Sequence, residues 1–151
     1  MIHKILICDA DRRLSAFHED LLRHAGYQVA TAQDMSTLST QLQVATFSLV
    51  IAELAFPECA ASDAVSVIRH VTTQRQGTPI LVLTSNADLA AHRQARTLGV
   101  WDISQKPALC TELLGLIRNI LEDAYPKDVS HLTSPGAAAD RRERLGTCRT
   151  P

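Results

Sequence analysis

Three acids, two hydroxyls and an amine stand where aliphatic runs stop. Asp9 and Asp11 follow the run that ends at Cys8, and Glu53 follows Leu49-Val-Ile-Ala52. Thr84 and Ser85 follow Ile80-Leu-Val-Leu83, and Lys106 follows the run that starts at Val100. Carboxylates packed together raise one another's pKa and call for a cation. Oxygen ligands suit Mg²⁺, which binds through one or two carboxylates together with phosphate and water. A hydroxyl and an ammonium facing those acids would hold phosphoryl oxygens. Taken singly, each residue reads as a helix cap or a surface charge. Delivered by four segments to one edge, they point to phosphate and metal chemistry.

The elements that must position them are short. Continuous β-branched runs bounded by turns read as strands buried on both faces. The spacing predicts five: residues 2–8, 27–31, 49–52, 80–83 and 100–103, the last beginning near Trp101. Between them lie amphipathic helices. Asp11 caps the first, with Leu14, Phe17, Leu21 and Ala25 on one face and Gly26 as its stop. Asp34 precedes the second, carrying Met35, Leu38, Leu42 and Ala45; Ser62 caps the third, carrying Val65, Ile68 and Val71. The fourth turns Ala87, Ala91, Ala95 and Leu98 inward before Gly99. The fifth spans about residues 111–123 and buries Leu113, Leu116, Ile117, Ile120 and Leu121.

Strand and helix thus alternate throughout, which predicts an α/β fold: a (βα)5 flavodoxin-like, doubly wound parallel sheet with helices on both faces and right-handed crossovers. In strand order 2-1-3-4-5 the first and third strands are neighbours at the switch point, where ligands collect. Asp9 and Glu53 then lie close, with Thr84 and Lys106 on the far side. Residues 1–124 form this domain. Residues 125–151, rich in Pro, Gly, Ser and Ala and carrying the charged run Asp140–Arg144, read as a disordered tail or linker stump.

Composition excludes several classes. The 151 residues are 46% apolar with a net charge of -1, which gives no electrostatic reason to expect nucleic acid or an anionic membrane as partner. No apolar run approaches the ~20 residues of a membrane span, and no secretory leader is visible. Cys8, Cys59, Cys110 and Cys148 form no C-x-x-C pair and read as core or surface thiols of a reduced, cytosolic chain. A small-ligand-binding flavodoxin-like module is the alternative of another class. It lacks a G-x-G-x-x-G or P-loop, its first loop is acidic, and the six histidines show no metal-site spacing.

The chain resembles the receiver domains of two-component response regulators over residues 2 to about 123. The family's first strand ends in an acid cluster, here Ile5-Leu-Ile-Cys-Asp-Ala-Asp11. Its third strand ends in a phosphoacceptor Asp followed four residues later by Pro, where Glu53 and Pro57 stand. Its strand-four Thr or Ser matches Thr84, and its Lys-Pro pair, usually joined by a cis bond, matches Lys106-Pro107. The departures fall on function. Glu53 replaces the acceptor Asp, Ala10 replaces a direct Mg²⁺ ligand, Ile103 replaces the aromatic switch residue, and Ala61 replaces a Gly after the third strand.

Glu carries its carboxylate about 1.5 Å farther than Asp, and misplacement by about 1 Å can slow in-line transfer ~100-fold. Losing the carboxylate at position 10 removes charge neutralisation for a transferring phosphoryl group. The resemblance with these departures implies a receiver-like domain that works without phosphorylation, with Glu53 paired to Lys106, and no enzymatic activity. Any Mg²⁺ would depend on Asp9 and Glu53, weakly or not at all, and Asp11 is better placed as a helix cap. The alternative within the family is phosphorylation by a histidine kinase at Glu53, or at Asp9 or Asp11. The expected partner is a protein, either a histidine kinase or a downstream effector. A homodimer through the face of the fourth helix, fifth strand and fifth helix is a further expectation. Trp101 would serve there as an anchor or else as an ordinary half-buried Trp.

Overall fold

A computed structural model describes residues 2–127. The elements run β1 Lys4–Cys8, α1 Arg12–His24, β2 Gln28–Ala32, α2 Met35–Val44, β3 Leu49–Ala52, α3 Ser66–Gln74, β4 Ile80–Thr84, α4 Leu89–Thr97, β5 Asp102–Gln105 and α5 Cys110–Ala124. The five strands pair in parallel in the order β2-β1-β3-β4-β5, the expected doubly wound sheet.

Strand side chains alternate between faces, and that parity divides the core. Leu6, Cys8, Val50, Ala52 and Val82 face one layer with Leu38 and Leu42 of α2, Ile68 and Val71 of α3, and Ala91 and Ala95 of α4. Ile5, Ile7, Leu49, Ile51, Leu81 and Leu83 face the other, with Leu22 of α1 and Leu113, Ile117, Ile120 and Leu121 of α5. Gly26 and Gly99 follow α1 and α4 with φ of 96° and 91°, and their amides donate to the carbonyls of Arg23 and Arg96. A residue with a Cβ is strained there, so both helices stop at glycine.

Several boundaries differ from the sequence expectation. The buried face of α1 is Ser15, His18 and Leu22. Leu14 and Leu21 are only half-buried, Ala25 is exposed, and Phe17 is 52% exposed. The inward line is rotated by one residue because Ser15 and His18 pack beside the end of β1. Ser62 does not cap α3: the helix begins four residues later, without a side-chain cap. The amide of Val67 instead donates to the carbonyl of Leu54, so the chain leaving β3 satisfies an orphan donor. Ala87 is exposed and precedes α4, which Asp88 caps. β5 begins after Trp101. As an edge strand paired only with β4 it is half-buried rather than continuously aliphatic. Trp101 is half-buried, packs on the α1–α5 side, and donates its amide to Ile80. Leu116 is half-buried rather than buried.

Packing continues past residue 124. The Tyr125 hydroxyl donates to the Ser48 carbonyl at 2.9 Å, and its ring lies 5.3 Å from that of His3. Cys8 is buried and Cys59 and Cys110 are half-buried, all as free thiols. Cys148 and the charged run Asp140–Arg144 lie outside the described residues, as does the rest of the expected tail beyond Lys127.

Candidate functional site

The sheet ladder sets the site. Past β1 the Asp9 amide donates to Ala32, and past β3 the Glu53 amide donates to Cys8 at 2.9 Å. Past β5 the Lys106 amide donates to the Thr84 carbonyl at 2.9 Å. These bonds fasten the ends of β2, β1 and β3 together and those of β4 and β5, and the β3–β4 ladder, with Ala52 beside Val82, joins the two groups. The bond from Lys106 to Pro107 is cis.

On this frame Lys106 bridges two acids. Its Nζ lies 2.6 Å from Asp9 Oδ2 and 3.0 Å from Glu53 Oε2. The three side chains retain only 15%, 11% and 16% exposure for Lys106, Asp9 and Glu53. The other oxygens are also engaged. Asp9 Oδ1 accepts from the Asp11 amide at 3.0 Å, and Glu53 Oε1 accepts from the Leu54 amide at 2.9 Å. Burial works against the ammonium, but the hydrogen bonds and charges of Asp9 and Glu53 outweigh it and hold the Lys106 pKa above its usual value.

The other expected members stand differently. Asp11 is exposed and caps α1, accepting from the amides of Arg13 and Leu14. Ala10 contributes no carboxylate. Thr84 is fully buried, and its Oγ1 accepts from the Asn86 amide at 3.0 Å. No hydrogen bond joins it to Glu53 among the described residues. Ser85 is exposed on the rim, and Ile103 is half-buried against the α2–α4 layer. Asp9, Glu53, Lys106, Ser85 and Asn86 line an open cleft of about 490 Å³ with Phe56 and Pro57. A larger groove, about 900 Å³, opens beside Trp101 and Asp123. It holds none of these groups, so chemistry rather than size identifies the site.

Two residues under the acids escaped the sequence reading. Ser15 Oγ donates to the Asp9 carbonyl at 3.3 Å. His18 is buried beside Asp9, and burial lowers its pKa, opposed by the Asp9 charge and aided by that of Lys106. Burial also pushes the Cys8 thiol up, with the charge of Asp9 adding to it. The signal available was the spacing of Ser15, His18 and Leu22, which is as helical as the apolar line chosen.

Residues 5–134 match the response regulator receiver domain family. The chain belongs to that family. Among curated relatives, the response regulator ArlR of Staphylococcus aureus (strain Mu50) is 30% identical over 126 residues, which cover 83% of this chain and 56% of that protein. The DNA-binding transcriptional regulator NtrC of Rhizobium meliloti (strain 1021) is 28% identical over 123 residues, covering 82% of this chain and 24% of that protein. The receiver domain thus spans about half or less of these relatives. Among solved structures, a CheY-like receiver domain protein from Methanospirillum hungatei JF-1 shares the fold with a TM-score of 0.76 at 20% identity, covering 82% of this chain and 97% of that one. The chemotaxis response regulator CheY4 of Vibrio cholerae is 25% identical with a TM-score of 0.67, covering 80% of this chain and 99% of that one. This receiver domain is therefore a two-component signalling module. No helix among its described residues is long and apolar enough to cross a membrane.

Proposed function

We propose that this receiver domain signals without being phosphorylated, through contact with a protein partner. The observation that carries the reading is the Lys106 ammonium shared between Asp9 and Glu53 at 2.6 and 3.0 Å. A fixed carboxylate already occupies the partner that a phosphoryl group would seek. Glu53 is further held by the Leu54 amide, so both of its oxygens are committed. A phosphoryl group would bring ~1.5 to 2 charges and more acceptor oxygens, so the mimicry is partial: the anion engages Lys106 and leaves Thr84 to the following loop.

The donor set also does not fit Mg²⁺. Asp11 is spent on a helix cap, Ala10 offers nothing, and Asp9 and Glu53 already share an ammonium. Among the described residues, no three of His, Cys, Asp and Glu gather as a metal site. Mg²⁺ demands near-octahedral oxygen coordination and gives up its water reluctantly. Phosphoryl transfer depends on such charge neutralisation and on placement of the acceptor. Residues 10 and 53 fail both.

Incubation with acetyl phosphate and Mg²⁺, followed by intact mass spectrometry, tests this. The parent should stay unmodified. A phosphoryl adduct on Glu53, Asp9 or Asp11 would overturn the reading and restore a kinase-driven receiver.

A further inference from the structure

The connection from β4 to α4 is exposed from Ser85 to Asp88, yet its polar groups are tied down in sequence. The Asn86 amide donates to Thr84 Oγ1 at 3.0 Å. The Asp88 amide donates to Asn86 Oδ1 at 2.9 Å, and Asp88 Oδ1 accepts from Ala90 at 3.0 Å. These are turn and cap bonds of an ordinary kind. One more is not. His92, in the first turns of α4, places Nε2 2.6 Å from the Asn86 carbonyl. A carbonyl only accepts, so Nε2 carries the hydrogen.

The geometry points to His92 as the positioning residue for Thr84: its bond to Asn86 fastens residues 85–88 to α4, so that loop and helix move as one body with the Thr84 hydroxyl. Thr84 is fully buried, where a displaced hydroxyl needs a new partner. Its bond to the Asn86 amide supplies one only while Asn86 stays in place. The fastening gives the cleft a mechanical link to α4 that does not pass through residue 103. Ile103 has no polar tip, but it packs in the same layer as Ala91 and Ala95 of α4. A change that drew the Thr84 hydroxyl toward the acids while its bond to Asn86 held would draw Asn86 with it, and through His92 would pull on the helix. None of this depends on whether Glu53 takes a phosphoryl group.

Amide hydrogen exchange by NMR on the parent, His92→Ala and His92→Gln tests it, with Ile51 in β3 as internal reference. Three-bond couplings that report the Thr84 side-chain rotamer complete the readout. In His92→Ala the Asn86 and Asp88 amides should exchange about fivefold faster, the loss of one hydrogen bond. Ile51 should be unchanged, and the Thr84 couplings should move toward rotamer averaging. His92→Gln, whose amide can donate, should restore part of the protection. Parent-like exchange at Asn86 in His92→Ala would overturn the assignment. So would equal acceleration at Ile51, or a Gln variant no better protected than the Ala variant.

Discussion

Replacing Lys106 with Met removes the ammonium from between Asp9 and Glu53 while keeping the length of the aliphatic stem. The acids are then left facing each other with 11% and 16% side-chain exposure. Removing one partner of a buried ion pair costs ~3–5 kcal/mol. Water reaches the rim of this cleft, so the low end applies, about 3 kcal/mol. For a domain of this size that lowers Tm by roughly 10 °C. Urea and thermal unfolding at pH 7, followed by circular dichroism, measure it.

The sharper test is the cycle with Glu53→Gln. In the parent, Gln at 53 gives up one of the two negative charges facing Lys106 and leaves the 2.6 Å contact to Asp9. In Lys106→Met, the same change relieves repulsion between two carboxylates and should raise stability. The lysine also predicts an alkaline limb. Its folded pKa lies above the ordinary 10.5, so its contribution is complete below 10.5 and fades as pH climbs through the folded value. Lys106→Met should lack that limb. A variant within about 0.5 kcal/mol of the parent, or a Glu53→Gln change that destabilises both backgrounds equally, would refute the assignment of Lys106 as resident counter-ion.

Two other perturbations have clear signs. The His18 pKa is lowered by burial from the ordinary 6.5, so its contribution to stability is present above 6.5 and lost as pH falls through the folded value; His18→Leu should flatten that acid limb in pH-dependent urea titrations. Tyr125→Phe removes the 2.9 Å bond to Ser48 and should cost about 1 kcal/mol, read as a lower urea midpoint at unchanged slope.

The positions of the strands along the chain, and the strand ends that bear the acids and the lysine, are legible because aliphatic runs and their terminating polar residues are local signals; the lateral order of the sheet follows only from the doubly wound pattern that their alternation with helices implies. The face of α1 is not legible. Apolar identity selected Leu14, Phe17 and Leu21, but the buried line is Ser15, His18 and Leu22. Polar side chains lie inward there because the carbonyl and carboxylate of Asp9 lie beneath the helix, a tertiary demand that periodicity does not carry. The start of α3 is not legible because its orphan amide is satisfied by Leu54, distant in sequence from Ser62. β5 starts two residues later than the apolar run from Val100 suggests, because an edge strand needs no continuous apolar run. The clasp between His92 and Asn86 left no mark, since a histidine on an exposed helix reads as solvated.

Cys8 and Ala52 are register partners in neighbouring strands, and the two carboxylates grow from the very next residues. Their separation is therefore inherited from the weave of the sheet, whose strands lie about 4.8 Å apart, and not from any connecting segment. Loops around the rim can be lengthened, shortened or grafted and the two anions will still meet. To part them, a redesign would have to unpick β1 from β3, and with that the centre of the protein.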